Sequence, residues 1–225
     1  MTQVGFSAYP TGDWSMALDL LDEVLSDEID ERAWSQVVQP WITMRRARGE
    51  RFEAEGGRLL SLLENSDEHI LQTQVHDVRA RLWFIDGRLD DARREALTSH
   101  AMEPYPEMLQ LAIRASLWLR DREATEAHLF EFADIGAHGA MLNAQRTVFR
   151  AGLAALRGDA PEALRLYRDG RGLADRGLDF LLALSAIDMA TVLPDGEATA
   201  EAIAERAGDA PPTAAEASGA SLLRN

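Results

Sequence analysis

The chain has no cysteine and no lysine. Without cysteine there is no disulfide framework, no thiolate metal site and no thiol nucleophile. Without lysine, all 23 basic residues are arginine; against 38 acidic residues they leave a formal charge of −15. A body this acidic repels phosphate backbones and anionic bilayers, so no direct nucleic-acid or membrane partner is expected. No apolar run approaches the length of a membrane span. Residues 1–12 lack the basic start and apolar stretch of a signal peptide, which makes the cytoplasm the expected location.

Catalytic signatures are equally scarce. There is no HExxH, no GxSxG and no DxDxDG calcium loop. Gly170-Arg171-Gly172 lacks the lysine and hydroxyl that complete a phosphate loop. Asp22, Glu23, Asp27, Glu28, Asp30 and Glu31 crowd one joint and read as a solvated acidic loop that caps helices. His69 and His76 would share a helix face two turns apart, without the i, i+4 spacing and third ligand of a metal site. His100, His128 and His138 form no second pair. The expectation is a chain with no catalytic residue, no metal and no cofactor.

What is abundant is helical period. Leu71, Val75, Val78, Leu82 and Ile85 step by four, three, four and three, one stripe of an amphipathic helix. Leu109, Ile113 and Leu117 repeat it. Alternation of period two is missing, so Asp86-Gly87 and Asp195-Gly196 read as helix stops rather than hairpin turns. Pro161, after Asp159, stands where a first-turn proline starts a helix.

The helices repeat in pairs. Arg79-Ala80, Arg114-Ala115 and Arg150-Ala151 recur at spacings of 35 and 36 residues. Twelve residues after each of these alanines stands an acidic-Ala pair: Asp91-Ala92, Glu126-Ala127 and Glu162-Ala163. Weaker copies at Ala17 and Ala54 precede them. A fixed period in this range signals stacked supersecondary units. Each recurrent arginine is expected to pair with the acid twelve places on, at the start of the partner helix; the other reading is a ladder that binds an anion.

The turns Gly12-Asp13-Trp14-x-x-Ala17, Gly87-Arg88-Leu89-x-x-Ala92 and Gly158-Asp159-x-x-x-Ala163 resemble those of a tetratricopeptide repeat. That family places one small residue on each helix of a pair: here Ala80, Ala115 and Ala151 on the first, Ala92, Ala127 and Ala163 on the second. The family's first-helix Trp, Leu-Gly and closing Pro are not kept, and Arg122 stands at the third turn glycine. The resemblance implies an all-α, right-handed α-solenoid of antiparallel pairs, about ten helices over residues 1–207, followed by a tail over 208–225. Residues 152–208 also resemble the C-terminal repeats of large bacterial LuxR-type ATP-dependent regulators and cyclase-associated ATPases. That implies a C-terminal regulatory arm; because Gly12-Asp13-Trp14 is the middle of a repeat, the chain reads as a piece of a longer one or as an array with a shortened N-terminal cap. The half-repeat would leave apolar surface bare and favour self-association.

The expected function is non-catalytic: a scaffold that docks a protein, or a short acidic or C-terminal-carboxylate peptide, in its concave groove. The alternative is a module that senses a ligand or signal peptide. By the family's register the groove takes Gln36, Gln39, Thr43 and Arg46 from one helix and Gln74, Asp77, Arg81 and Phe84 from the next. Leu109, Ser116 and Arg120 follow, then Gln145, Val148 and Gly152. Arg46, Arg81 and Arg120 against one acid predict a basic groove, with Arg81 and Phe84 as central anchors; the other reading is that these arginines pair with neighbouring acids.

Overall fold

The computed structural model describes residues 8–136, 139–170 and 177–193. The tail at 208–225, His138, Asp195-Gly196 and the side chain of His69 lie outside the described residues. Among those described stand ten α-helices and no strand. They are α1 (Trp14–Ser26), α2 (Glu31–Ala47), α3 (Glu53–Glu64), α4 (His69–Ile85), α5 (Leu89–Met102), α6 (Pro106–Trp118), α7 (Arg122–Asp134), α8 (Ala140–Leu156), α9 (Ala160–Asp169) and α10 (Asp179–Val192).

Local chemistry sets the boundaries. Asp30, Asp121 and Asp159 accept N–H bonds at the starts of α2, α7 and α9, at 2.8, 3.0 and 3.1 Å. Pro106 and Pro161 occupy first turns, where a missing N–H costs nothing. Three-residue turns join α4 to α5, α6 to α7 and α8 to α9. Each turn needs one left-handed residue: Gly87 (φ 75°), Arg120 (φ 55°) and Gly158 (φ 82°).

Consecutive helices from α1 to α9 pack on one another, and α2, α4, α6 and α8 also touch in sequence, forming one layer. Their first-helix alanines Ala80, Ala115 and Ala151 are fully buried. Small side chains there let helices approach closely. The second-helix set differs from the sequence reading in two units. Ala54 and Ala127 are exposed, and the buried small residues are Gly56 and Thr125. A Cβ on Gly56 would lie 3.3 Å from Ile42 Cδ1, so this is a close helix approach. The slip in the third unit has a physical source: α6 ends three residues past Ala115, whereas α4 and α8 run five past Ala80 and Ala151. Its turn therefore comes two residues early, and Arg120, not Arg122, takes the glycine position.

The last helix leaves the pattern. α10 packs on α8 and on α6, along the inner layer. Its first turn reaches the start of the chain, where the Leu181 N–H donates to the Pro10 carbonyl at 3.3 Å. Phe180 meets Tyr9 and Trp14 edge-on, with ring centroids 4.9 and 4.7 Å away. This corrects the bare N-terminal end: Trp14, Ala17, Leu18 and Leu21 are buried, and Met16 is the one large apolar side chain of α1 left exposed among the described residues.

Candidate functional site

Between the inner layer and α10 lies a cavity of about 1200 Å³. The inner helices supply glutamines: Gln36 and Gln39 from α2, Gln74 from α4, Gln110 from α6 and Gln145 from α8. They recur because the repeat turns the same helix face inward each time. Lateral bonds follow the repeat: Gln36 Nε2 donates to Gln74 Oε1 at 3.1 Å, and Gln39 Nε2 to Asp77 Oδ2 at 3.3 Å. Pro40, inside α2, has no N–H for the Gln36 carbonyl, and both residues line the cavity. Phe84, Trp118, Phe180, Leu184 and Ile187 give it an apolar side.

Among the described residues, two buried polar atoms of cavity-lining side chains have no hydrogen-bond partner, Gln145 Oε1 and Ser99 Oγ. Their residues are 3% and 1% exposed. Leaving such groups unpaired costs about 1–3 kcal/mol each. Both residues line the hollow, and the two atoms themselves are shielded from solvent.

Of the residues assigned to the groove from sequence, Gln36, Gln39, Thr43, Arg46, Gln74, Asp77, Arg81, Phe84 and Gln145 all line this cavity. Arg120 does not. It sits in the α6–α7 turn, and its guanidinium donates to the Thr191 carbonyl at 2.7 Å, holding the end of α10. Leu109, Ser116 and Val148 are buried, and Gly152 packs against Leu117.

The basic groove is also corrected. Four arginines line the cavity (46, 51, 81 and 114) against six carboxylates (50, 53, 77, 86, 103 and 107). Arg46 pairs with Asp86, and Arg81 Nε donates to Asp77 Oδ1 at 2.6 Å. Among the described residues no recurrent arginine bonds the acid twelve places on, although the charge of Arg150 reaches Glu162. Arg79 pairs with Glu64, and Arg150 is exposed. Asp91 instead bonds Arg88 and Arg94, Glu126 bonds Arg157, and Glu162 bonds Arg165. Register alone shows which face a residue occupies, not which distant element covers that face.

Arg114 is the residue that sequence reasoning misplaced most. It is 6% exposed, and its Nε donates to both oxygens of Asp188 at 2.9 Å. Trp118 Nε1 donates to the same carboxylate at 2.7 Å. Burial pushes the Asp188 carboxyl up, while Arg114 and Trp118 pull it back. An acid and a base 74 residues apart carry no local signal, although Asp188 within the apolar run of α10 is the mark of a buried partner.

Comparison with family models, curated proteins and solved structures gave no match. The chain's own geometry therefore carries the reading. Among the described residues no three His, Asp or Glu side chains are grouped to hold a metal ion. No helix among them is long and apolar enough to cross a membrane.

Proposed function

We propose that the chain is a non-catalytic helical-repeat module that holds a short peptide between its inner helix layer and α10. The observation that carries this reading is the cavity itself, with the unpaired Gln145 Oε1 and Ser99 Oγ at its wall. At about 1200 Å³ it exceeds the roughly 300–1,000 Å³ of ordinary small-molecule pockets. Repeated amide side chains suit the alternating donors and acceptors of an extended backbone. The apolar side formed with α10 suits side chains.

This favours a sensing module over an open scaffold, because α10 already lies along the layer that a docked protein would need. A strongly acidic peptide is disfavoured by the six carboxylates around the hollow. The role of regulatory arm rests on the resemblance of residues 152–208, part of which falls outside the described residues.

The test is a selection from a hexapeptide pool by the full chain, followed by melting. A retained peptide at a hundred times its Kd should stabilise the parent by about 2.7 kcal/mol. Leu184→Trp, which fills the cavity from α10, should abolish that gain. If no peptide raises the melting temperature, the reading fails.

A further inference from the structure

Three donor groups at this cavity have spare capacity. Arg81 uses only Nε, towards Asp77; its two terminal nitrogens make no hydrogen bond among the described residues. Arg114 likewise uses only Nε, towards Asp188. Its guanidinium otherwise lies over the Phe149 ring, 5.3 Å from the centroid. The Tyr9 hydroxyl has no hydrogen bond among the described residues, although its ring is fixed by Phe180 and Trp14. Tyr9, Arg81 and Arg114 all line the one cavity; burial pushes the Tyr9 phenol up, and the charges of Arg81 and Arg114 pull it down.

We propose that Tyr9, Arg81 and Arg114 form a carboxylate subsite that takes the free C-terminus of the peptide. This rests on the peptide-holding reading above. A guanidinium whose Nε is anchored to an aspartate holds its terminal N–H groups in a fixed plane and leaves them unspent. Two such forks and a phenol O–H supply the in-plane donors that a carboxylate accepts bidentately. Asp77 and Asp188 serve as anchors that hold the forks in place without consuming them.

The charge balance sets the class of anion. Each arginine is already partly neutralised by its aspartate, and Glu107 also lies within electrostatic reach of Arg81. A dianion such as phosphate would meet that surplus of carboxylates at close quarters. A monoanionic carboxylate adds a single charge to a cavity that two partly compensated guanidiniums line. Phe84, Trp118 and Leu184, which line the same cavity, can flank the last side chains.

The experiment offers the full chain an equimolar pool of hexapeptides as free acids and as C-terminal amides, and reads retained peptides by mass spectrometry. Affinities of retained peptides follow from tryptophan fluorescence. The free acids should exceed their amides by about tenfold or more, the scale of a charge-assisted hydrogen bond. Arg81→Gln should lower affinity for the acid about tenfold and leave the weak amide binding unchanged. Tyr9→Phe keeps the ring cluster, so it tests the hydroxyl without unfolding the chain; it should cost about threefold to tenfold, again for the acid alone. Benzoate and inorganic phosphate are run alongside. Acids and amides retained equally would overturn the carboxylate subsite and leave the peptide reading standing. A melting shift with benzoate alone, lost in Tyr9→Phe, would support the subsite and overturn the peptide as its source. Phosphate binding more tightly than the acids would overturn the monoanion preference. No retention and no shift with any probe would overturn both.

Discussion

The two halves of the molecule solve the packing problem differently. The core around α1–α3 and the start of α4 is built on Trp14, Trp41, Leu18, Leu21, Leu59 and Leu63, with Ala17 its only buried alanine. Arginines lie over its indoles: Arg58 sits 3.9 Å from the Trp34 centroid and Arg45 5.0 Å from that of Trp41. The core from the end of α4 to α10 holds seven buried alanines, among them Ala80, Ala112, Ala151 and Ala163, around Phe132 and Phe149. Large side chains hold helices apart, and small ones let backbones close up. The first half is thus vulnerable to losing volume and the second to gaining it. α10 belongs to both, giving Phe180 to the aromatic side and Met189 and Val192 to the alanine side.

The largest expected effects fall where α10 joins the halves. Asp188→Ala leaves Arg114 buried without its anion and should cost about 3–5 kcal/mol in a urea melt. Replacing both partners, as in Arg114→Met with Asp188→Leu, should cost much less; equal losses would mean the charge pair is not what the site requires. Trp14→Ala removes the centre of the aromatic cluster and should also cost about 3–5 kcal/mol. A smaller loss there than at an alanine site would collapse the contrast between the halves.

Overpacking comes next. Ala163→Leu and Thr125→Leu should each cost about 1–3 kcal/mol, because both sites are fully buried at helix contacts. Ala127→Leu, on the exposed side of α7, should change stability by no more than about 0.5 kcal/mol. The reverse order would restore the register read from sequence.

The smallest effect concerns pH. Burial first, then the nearby Arg93, holds the His128 pKa below its ordinary value, against Glu131 and Asp121. The neutral ring therefore favours the fold above the unfolded pKa of about 6.5, and that contribution is lost as pH falls through the folded value. His128→Gln should flatten the stability profile between about pH 7 and 5. An unchanged profile would show that other groups set the slope.

Much of this was readable before any coordinates. Helical period, capping aspartates and turn glycines gave the elements, because those signals are local. The inward glutamines of α2, α4 and α8 were readable too, since a repeat presents the same face each time; Gln110 was missed, its place taken by the buried Leu109. The third unit was misread because counting from Ala115 assumed a helix length that α6 does not have. Arg120 followed from that slip, as a turn residue mistaken for a groove residue. The course of α10 was not readable. Its pattern announces a buried helix, but nothing local says that it returns to Arg114 and Pro10.

That return changes how the molecule comes apart. A linear stack of repeats frays from its ends, each unit leaning only on its neighbours. Here the first helix and the last share one clasp, made by Tyr9, Trp14, Phe180 and the Leu181-to-Pro10 hydrogen bond. Neither α1 nor α10 can open alone: opening the first turn of α1 strips α10 of its anchor, and lifting α10 bares Trp14. The array behaves as a ring with one closure, and amides of α1 and α10 should exchange with solvent as a single cooperative unit.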